Sequence, residues 1–434
     1  MTPAKNAPRF TVNTTEHALW RDTCSETLKT ASLSDDLTVD LAVIGGGYTG
    51  CSAALTAAKA GASVCLLEAH ETGHGGSGRN VGLVNAGLWL PPDEIRSYLG
   101  QDVGDRLIDL RAKAPSDVFA LIDVHEIACE PVQNGTLHCA HSATGFRDIQ
   151  TRHAQLSTAG APVELLSAEA ALARTGSTTF HGALFDPRAG TIQPLSYVVG
   201  LARAASEAGA LLFTQSPVQT IQYRNGCWVL TMPGGTVQAR SIIQATNAYH
   251  QRLKDTAPAY VPVYYFQYAT APLSHNLRAS ILPQGEGCWD TGLIMTSFRL
   301  DQDGRMIIGG MGDLGNAGRG AHSAWAKRKL AVLYPQLSEQ PLEQGWHGRI
   351  AMTSDHLPKI TQIGPNALSV HGFSGRGIGP GTVFGRLMAE SLLKDDPSCL
   401  PVPVVPEHRE SWTGLRRAYF ETGAALTHFI KART

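Results

Sequence analysis

Residues 37–50 read Leu37-Thr38-Val39-Asp40-Leu41-Ala42-Val43-Ile44-Gly45-Gly46-Gly47-Tyr48-Thr49-Gly50, and residues 51–69 continue CSAALTAAKAGASVCLLEA. A short apolar run enters a glycine-rich turn, an alanine-rich stretch follows to Gly61, and a second apolar run ends at Glu68. Short apolar runs without alternation mark strands buried on both faces. The whole is a strand–helix–strand unit and predicts an α/β fold. Each glycine has a mechanical reason. Gly45 permits the tight turn out of the strand, Gly47 lets the backbone approach a pyrophosphate, and Gly50 allows close helix–sheet packing. Tyr48 and Thr49 open the helix, whose free N–H groups and partial positive charge suit phosphates. Glu68, followed by Ala69, lies 18 residues after Gly50. A carboxylate there accepts hydrogen bonds from ribose hydroxyls and repels a 2′-phosphate, which points to a dinucleotide other than NADP.

Two further glycine clusters decide which dinucleotide. Residues 73–82 read GHGGSGRNVG. An NAD unit would pass directly into another helix. A polar loop carrying Gly76, Ser77, Gly78, Arg79, Asn80, Val81, Gly82 and Leu83 suits a longer ligand with a second phosphate and a heteroaromatic ring. Residues 372–381 read GFSGRGIGPG, after a strand over 367–371 and before a helix expected from about Thr382 to Lys394. Gly375, Arg376, Gly377, Ile378, Gly379 and Thr382 are candidates to touch the same ligand, more than 300 residues beyond the first cluster. FAD fits. Its pyrophosphate uses one positive helix end, and the negative charge of its reduced ring uses another. Segments 45–50, 73–87 and 372–381 hold four, six and five of the 45 glycines. That is close to the surplus over the roughly 30 that average composition gives. Six more within 309–320 are expected in a loop.

The rest of the 434-residue chain narrows the class. A net charge of −1 excludes the basic footprint of a nucleic-acid binder. No run of 18 apolar residues predicts a transmembrane segment, and the first twenty lack the apolar core of a signal peptide. The expectation is a cytoplasmic protein, or one peripheral on the inner membrane if it feeds a respiratory chain. Eight scattered cysteines show neither CxxC nor metal-ligand spacing, so free thiols and no metal site are expected.

Helical patterning covers 93–124, 145–156 and 195–208, and 135–139 reads as a strand. Residues 184–194 read as a turn-rich connection, and 211–213 with 217–218 as a core strand bringing Val218 to the cofactor. A buried strand over 241–247 ends in Ala245, Thr246 and Asn247. Segments 261–270, 292–300 and 305–308 alternate like antiparallel strands with one solvated face. The character therefore switches back and forth along the chain. This predicts a FAD-binding Rossmann-like domain (37–90, 186–250, 346–395) interleaved with an α+β substrate domain on an antiparallel sheet (91–185, 251–345). A polar surface arm (1–36) and a C-terminal extension (396–434) flank them.

Taken in order, Val43-Ile44-Gly45-Gly46-Gly47, residues 75–80 (GGSGRN), Ala245-Thr246-Asn247 and residues 353–358 (TSDHLP) resemble the D-amino-acid-oxidase-like family of FAD-dependent amine oxidoreductases. The resemblance spans about 37–395. Within that family, residues 73–87 (GHGGSGRNVGLVNAG), 135–145 (GTLHCAHSATG) and 188–194 (RAGTIQP) are similar to bacterial L-pipecolate oxidases. So are Tyr264-Tyr265 with Gln267 and Ala269. The γ-glutamylputrescine oxidoreductases look like more distant relatives.

The resemblance implies a substrate-domain sheet covering the flavin, and oxidation of a C–N bond to an imine by hydride transfer to flavin N5. It implies a secondary or cyclic amino acid as substrate, L-pipecolate first, with O2 or a respiratory acceptor receiving the electrons. Primary amines, γ-glutamylputrescine, D-amino acids and N-methyl amino acids are the alternatives. A flavin-bound subunit of a larger dehydrogenase complex is the reading from another class. Some members attach FAD through a cysteine just before the segment matching 353–358; here 346–352 read WHGRIAM, so FAD is expected to be non-covalent. In several relatives an arginine near this segment forks onto the substrate carboxylate, which makes Arg349 the candidate here. Tyr264, Tyr265 and His347 are the other catalytic candidates. Alternation turns Tyr265 and Gln267 one way and Tyr264 the other. Asn85 and Trp89 are candidates for the mouth.

Overall fold

In the computed structural model, which describes residues 18–250, 253, 260–315 and 318–430, the strand Leu37–Ile44 is an inner strand of the nucleotide-side sheet. Its last four residues are buried on both faces. It pairs in parallel with Val64–Leu67 on one side and Gly235–Gln244 on the other. Leu211–Phe213 extends the sheet beyond Val64–Leu67, and Ala367–His371, Lys359–Gly364 and Val404–Val405 extend it beyond Gly235–Gln244. The helix Tyr48–Lys59 packs between Pro194–Glu207 and Ile378–Lys394. A Cβ on Gly385 would lie 2.1 Å from the Thr49 carbonyl oxygen, so only glycine lets those two helices approach this closely.

The second sheet runs in the order Leu342–Met352, Val261–Pro272, Arg305–Met311, Ser297–Leu300, Gly287–Asp290, Thr136–Cys139, Gly182–Asp186, Glu164–Ser167. Residues paired across strands share a face. The register therefore sets Trp346, Gln267, Gly309, Ser297, Trp289, His138 and Leu184 in one row on one face. That face looks toward the nucleotide-side sheet. The other face is not solvated as alternation predicted: Phe266 and Tyr268 are fully buried there, and helices Arg319–Leu333 and Thr413–Ile430 pack over it.

Several other expectations are corrected. The expected surface arm is anchored at its described start: Leu19 and Trp20 are buried in a four-residue helix, the Trp20 ring meets Trp346 edge-on at 5.7 Å, and residues 21–36 are exposed or half-buried apart from Leu33. A helix that short carries no periodicity to read. Residues 1–17 lie outside the described part. Residues 184–186 belong to a fully buried strand rather than a connection. Leu211–Phe213 is an edge, with Leu211 46% exposed, and Pro217-Val218 lie outside it. The expected 93–124 helix breaks at Gly100 (φ +78°) into Pro92–Leu99 and Gln101–Val124.

The glycines of 309–320 do not form a simple loop. Gly309 and Gly310 sit inside Arg305–Met311, because a Cβ would lie 2.3 Å from Gln267 Oε1 on one face and 2.8 Å from the Trp325 ring on the other. The late helix starts at Ile378, before Thr382. Pro380 falls in its first turn, where a missing N–H costs nothing. The strand Leu342–Met352 lies wholly in the second sheet and so runs across the boundary expected at 345/346. Among the described residues no helix is long and apolar enough to cross a membrane.

Candidate active site

Between the two sheets lies a cavity of about 490 Å³. Its narrow end is built by the first glycine turn. Gly45 has φ +109°, and a Cβ on it would come within 2.9 Å of the Ala245 carbonyl oxygen. A Cβ on Gly47 would lie 2.9 Å from Ser77 Oγ. The Tyr48 N–H donates to Ser77 Oγ (3.1 Å), and the Tyr48 hydroxyl donates to the Ser77 carbonyl (2.7 Å), which fixes the second glycine loop on the helix start. Asn80 braces that loop from within, donating to the Gly76 carbonyl and accepting the Gly82 N–H. Trp20 and Trp346 hold it from outside through the carbonyls of Asn80 (2.8 Å) and Arg79 (3.0 Å). Glu68 accepts the N–H groups of Gly46 (2.7 Å) and His70 (2.9 Å), while burial pushes its pKa up. Asn247 accepts the Gly372 N–H (3.1 Å), tying the Gly235–Gln244 strand end to the third glycine cluster.

These residues fit FAD. The backbone at Gly45 and Gly47 leaves no room for side chains, and the starts of two helices, at Tyr48 and Ile378, border one cavity. On the second-sheet wall the buried Gln267 Oε1 lacks any hydrogen-bond partner, which leaves an acceptor for a ligand. Gly45, Gly47, Tyr48, Thr49, Glu68, Ala69, Gly76, Ser77, Arg79, Asn80, Val81, Leu83, Val218, Ala245, Thr246, Asn247, Gly375, Arg376, Gly377 and Ile378 all line the cavity.

Gly50, Gly78, Gly82, Gly379 and Thr382 do not. They are packing positions. A Cβ on Gly50 would lie 1.9 Å from the Gly45 carbonyl oxygen, on Gly78 2.4 Å from that of Gly73, and on Gly82 2.1 Å from that of Ile192. Gly379 lies against Ala114, and Thr382 hydrogen-bonds Tyr197 and Ser52.

The substrate candidates divide by face. Tyr265 and Gln267 line the cavity with Asn85 and Trp89; Tyr264 and His347 do not. The Tyr265 hydroxyl is locked between Ser297 and Met295, and burial raises its pKa, so it offers a ring wall rather than an acid or base. His347 Nδ1 accepts the Leu314 N–H (2.9 Å), Asp313 Oδ1 lies 3.2 Å from the same nitrogen, and the ring meets Tyr264 edge-on. His347→Ala should therefore lower thermal stability by about 1–3 kcal/mol while changing the anaerobic flavin reduction rate less than about threefold. A loss of reduction rate a hundredfold or larger would return His347 to the reacting centre.

Arg349 borders the cavity, but its register partner is Tyr264, so its side chain projects from the face opposite Tyr265. Its guanidinium lies 5.0 Å from the Tyr249 ring. The cation at the Tyr265 side of the cavity is Arg376. It is 9% exposed, with its guanidinium carbon 4.4 Å from the Trp89 ring and 4.8 Å from the Trp289 ring. Its Nε has no hydrogen-bond partner, no ion pair reaches it among the described residues, and burial pulls its pKa down to about 9. Trp289, Ser297, Met295 and Met311 were missed in the sequence. The strand carrying Trp289 pairs in parallel with distant Thr136–Cys139, and four residues leave no local signal for that.

The family model for FAD dependent oxidoreductases matches residues 40–391. The chain is 32% identical over 358 residues to the probable oxidoreductase OrdL of Rhizobium meliloti, covering 82% of this chain and 83% of that one. It is 29% identical over 367 residues to the γ-glutamylputrescine oxidoreductase of Escherichia coli, covering 84% and 86%. The fold is similar to the crystal structure of glycine oxidase from Geobacillus kaustophilus, with a TM-score of 0.68 and 20% identity over 84% of this chain and 96% of that one. The cradle, its two helix starts and the match over most of the chain give one conclusion: this chain belongs to the D-amino-acid-oxidase-like family of FAD-dependent oxidoreductases, enzymes of amine and amino-acid oxidation.

Proposed function

We propose that the enzyme oxidises the C–N bond of a secondary or cyclic amino acid, L-pipecolate first, to the imine. The observation that carries this reading is the buried Arg376 guanidinium between Trp89 and Trp289, which lacks an anionic partner. A substrate carboxylate supplies that partner through two parallel hydrogen bonds. FAD, when bound, accepts the hydride from the substrate carbon. Trp89, Trp289 and Tyr265 pack around the aliphatic body and exclude water, and Arg376 sets the orientation of the C–H bond.

The charge of the lining favours the neutral amine. Glu68 is the one acid lining the cavity among the described residues, against Arg79 and Arg376, with Arg349 bordering it from the Tyr264 face. A cationic wall lowers the proton affinity of a bound amine, so the substrate sheds its proton before the C–H bond breaks. His74, held at about 4 chiefly by burial, adds no competing charge at neutral pH.

A primary amine such as γ-glutamylputrescine is the second reading, supported by the 29% identity to the Escherichia coli enzyme of that name. O2 or a respiratory acceptor takes the electrons onward. The eight free cysteines support a reducing, cytoplasmic setting, whether free or peripheral on the inner membrane. Absence of cysteine from the lining among the described residues supports non-covalent FAD. Acid precipitation should leave a white pellet and a yellow supernatant; a yellow pellet contradicts this.

Turnover with an artificial electron acceptor tests the substrate, using L-pipecolate, L- and D-proline, D-alanine, sarcosine and γ-glutamylputrescine. L-Pipecolate should give the highest kcat/KM. Turnover of γ-glutamylputrescine alone would transfer the assignment to the second reading.

A further inference from the structure

Next to the cavity lies a second chamber of about 70 Å³, whose walls share Trp89, Trp289 and Arg376 with it. Water needs about 10–15 Å³ of such space, so the chamber has room for a compact polar group. Its walls are unusual in charge. Arg111 enters from helix Gln101–Val124, Arg152 from helix Ala143–Thr158, Arg376 from the third glycine cluster, and His138 from strand Thr136–Cys139.

Arg111 is 1% exposed and gives one hydrogen bond, from Nη2 to the Gly87 carbonyl (2.8 Å), leaving Nε and Nη1 without partners. Arg152 donates to the Trp89 carbonyl. The buried Nδ1 of His138 and Nε of Arg376 are also unpartnered. Among the described residues, Arg111, Arg152 and Arg376 have no ion pair. The buried acid in the wall, Asp186, has both oxygens taken by Arg188 (2.9 and 2.7 Å). Asp109 stands exposed at the rim.

Guanidinium groups that serve only the fold are paired or left in water, because an unpaired buried charge is costly. Here three cations from three segments line one small chamber, and Arg376 and Arg111 repel each other across it. We propose that this chamber is a second anion subsite, which receives a carboxylate on the distal part of the substrate while Arg376 holds the first. This rests on the reading of Arg376 as a carboxylate anchor, and it adds to L-pipecolate a further substrate class, amino acids bearing a second acidic group. L-Pipecolate would then fill the aromatic box and leave the chamber to water.

Inert ligands test this on the FAD-loaded enzyme, with perturbation of the flavin visible spectrum as readout. Malonate, succinate, glutarate and adipate are titrated against the monocarboxylates of equal chain length. At least one dicarboxylate should bind about tenfold or more tightly than its monocarboxylate match. In R152M, and in R111M if that deeply buried variant folds, the ratio should fall below about threefold.

A ratio near one in the wild type, or one unchanged in R152M, overturns the subsite. Monocarboxylate binding that tightens on adding inorganic phosphate, with no dicarboxylate preference, overturns it in favour of a free anion. If monocarboxylates do not bind the wild-type enzyme, the anchor reading itself fails, and a dicarboxylate that still binds without dependence on Arg152 overturns the subsite as well.

Discussion

Arg376→Met should lower kcat/KM for L-pipecolate by between about thirtyfold and several thousandfold. Removing one partner of a buried, hydrogen-bonded charge pair costs about 2–5 kcal/mol, and about 1.4 kcal/mol is a factor of ten. The guanidinium lies between two indole rings with no ion pair among the described residues, and Asp186, the acid whose charge it feels, is already held by Arg188. Piperidine, which is L-pipecolate without the carboxylate, is the control. The loss should be far larger on L-pipecolate than on piperidine, and Arg376→Lys should recover only part of it, because a point charge cannot replace a fork. Equal losses on both substrates would make Arg376 a cofactor ligand instead. Arg349→Met separates the competing anchor: with its side chain on the Tyr264 face, its loss should be less than about tenfold.

Gly50→Ala should largely abolish FAD binding. The new Cβ would lie 1.9 Å from the Gly45 carbonyl oxygen and 3.1 Å from its carbon, so backbone has to move. Either the helix start lifts off the strand or the Gly45 turn opens, and both displace the N–H groups that line the cofactor end. Overpacking costs about 1–3 kcal/mol, and the upper value weakens FAD by about a hundredfold if it falls wholly on the bound state. The ratio of flavin to protein absorbance after purification reads it directly. Gly61→Ala is a control without steric conflict: Gly61 has positive φ (+81°), unlike Gly50 within its helix, and a Cβ there meets nothing within 4 Å. That variant should cost only about 1 kcal/mol and keep its flavin. Full flavin content in Gly50→Ala would show that the turn tolerates the shift.

Much of the cofactor cradle was legible because local steric demands leave glycine as the permitted residue, and three glycine clusters mark it. The same signal also misled. Gly78, Gly82 and Gly379 lie outside the cavity lining and answer to protein packing, as Gly50 was expected to, and spacing alone cannot separate a Cβ excluded by a cofactor from one excluded by a carbonyl. Gly309 and Gly310 were read as a loop because the residues that demand them, Gln267 and Trp325, are distant in sequence on one side and helical on the other.

The substrate end was the least legible part. Alternation correctly set Tyr264 apart from Tyr265, but which face meets the cavity depends on tertiary packing. The same alternation removes Arg349 from Tyr265's face once the register with Leu342–Met352 is known. Arg376 was assigned to FAD because it sits among cofactor glycines. Its place between Trp89 and Trp289 appears only when strands 136–139 and 287–290 pair in the folded sheet.

Anaerobic stopped-flow mixing of the FAD-loaded enzyme with L-pipecolate tests the central claim most directly. The account predicts complete loss of the visible flavin absorption at a rate that saturates with substrate, slowed when the hydrogen on the carbon next to nitrogen is deuterium. No bleaching by L-pipecolate or by any other carboxylate-bearing amine, with bleaching by uncharged amines instead, would contradict it.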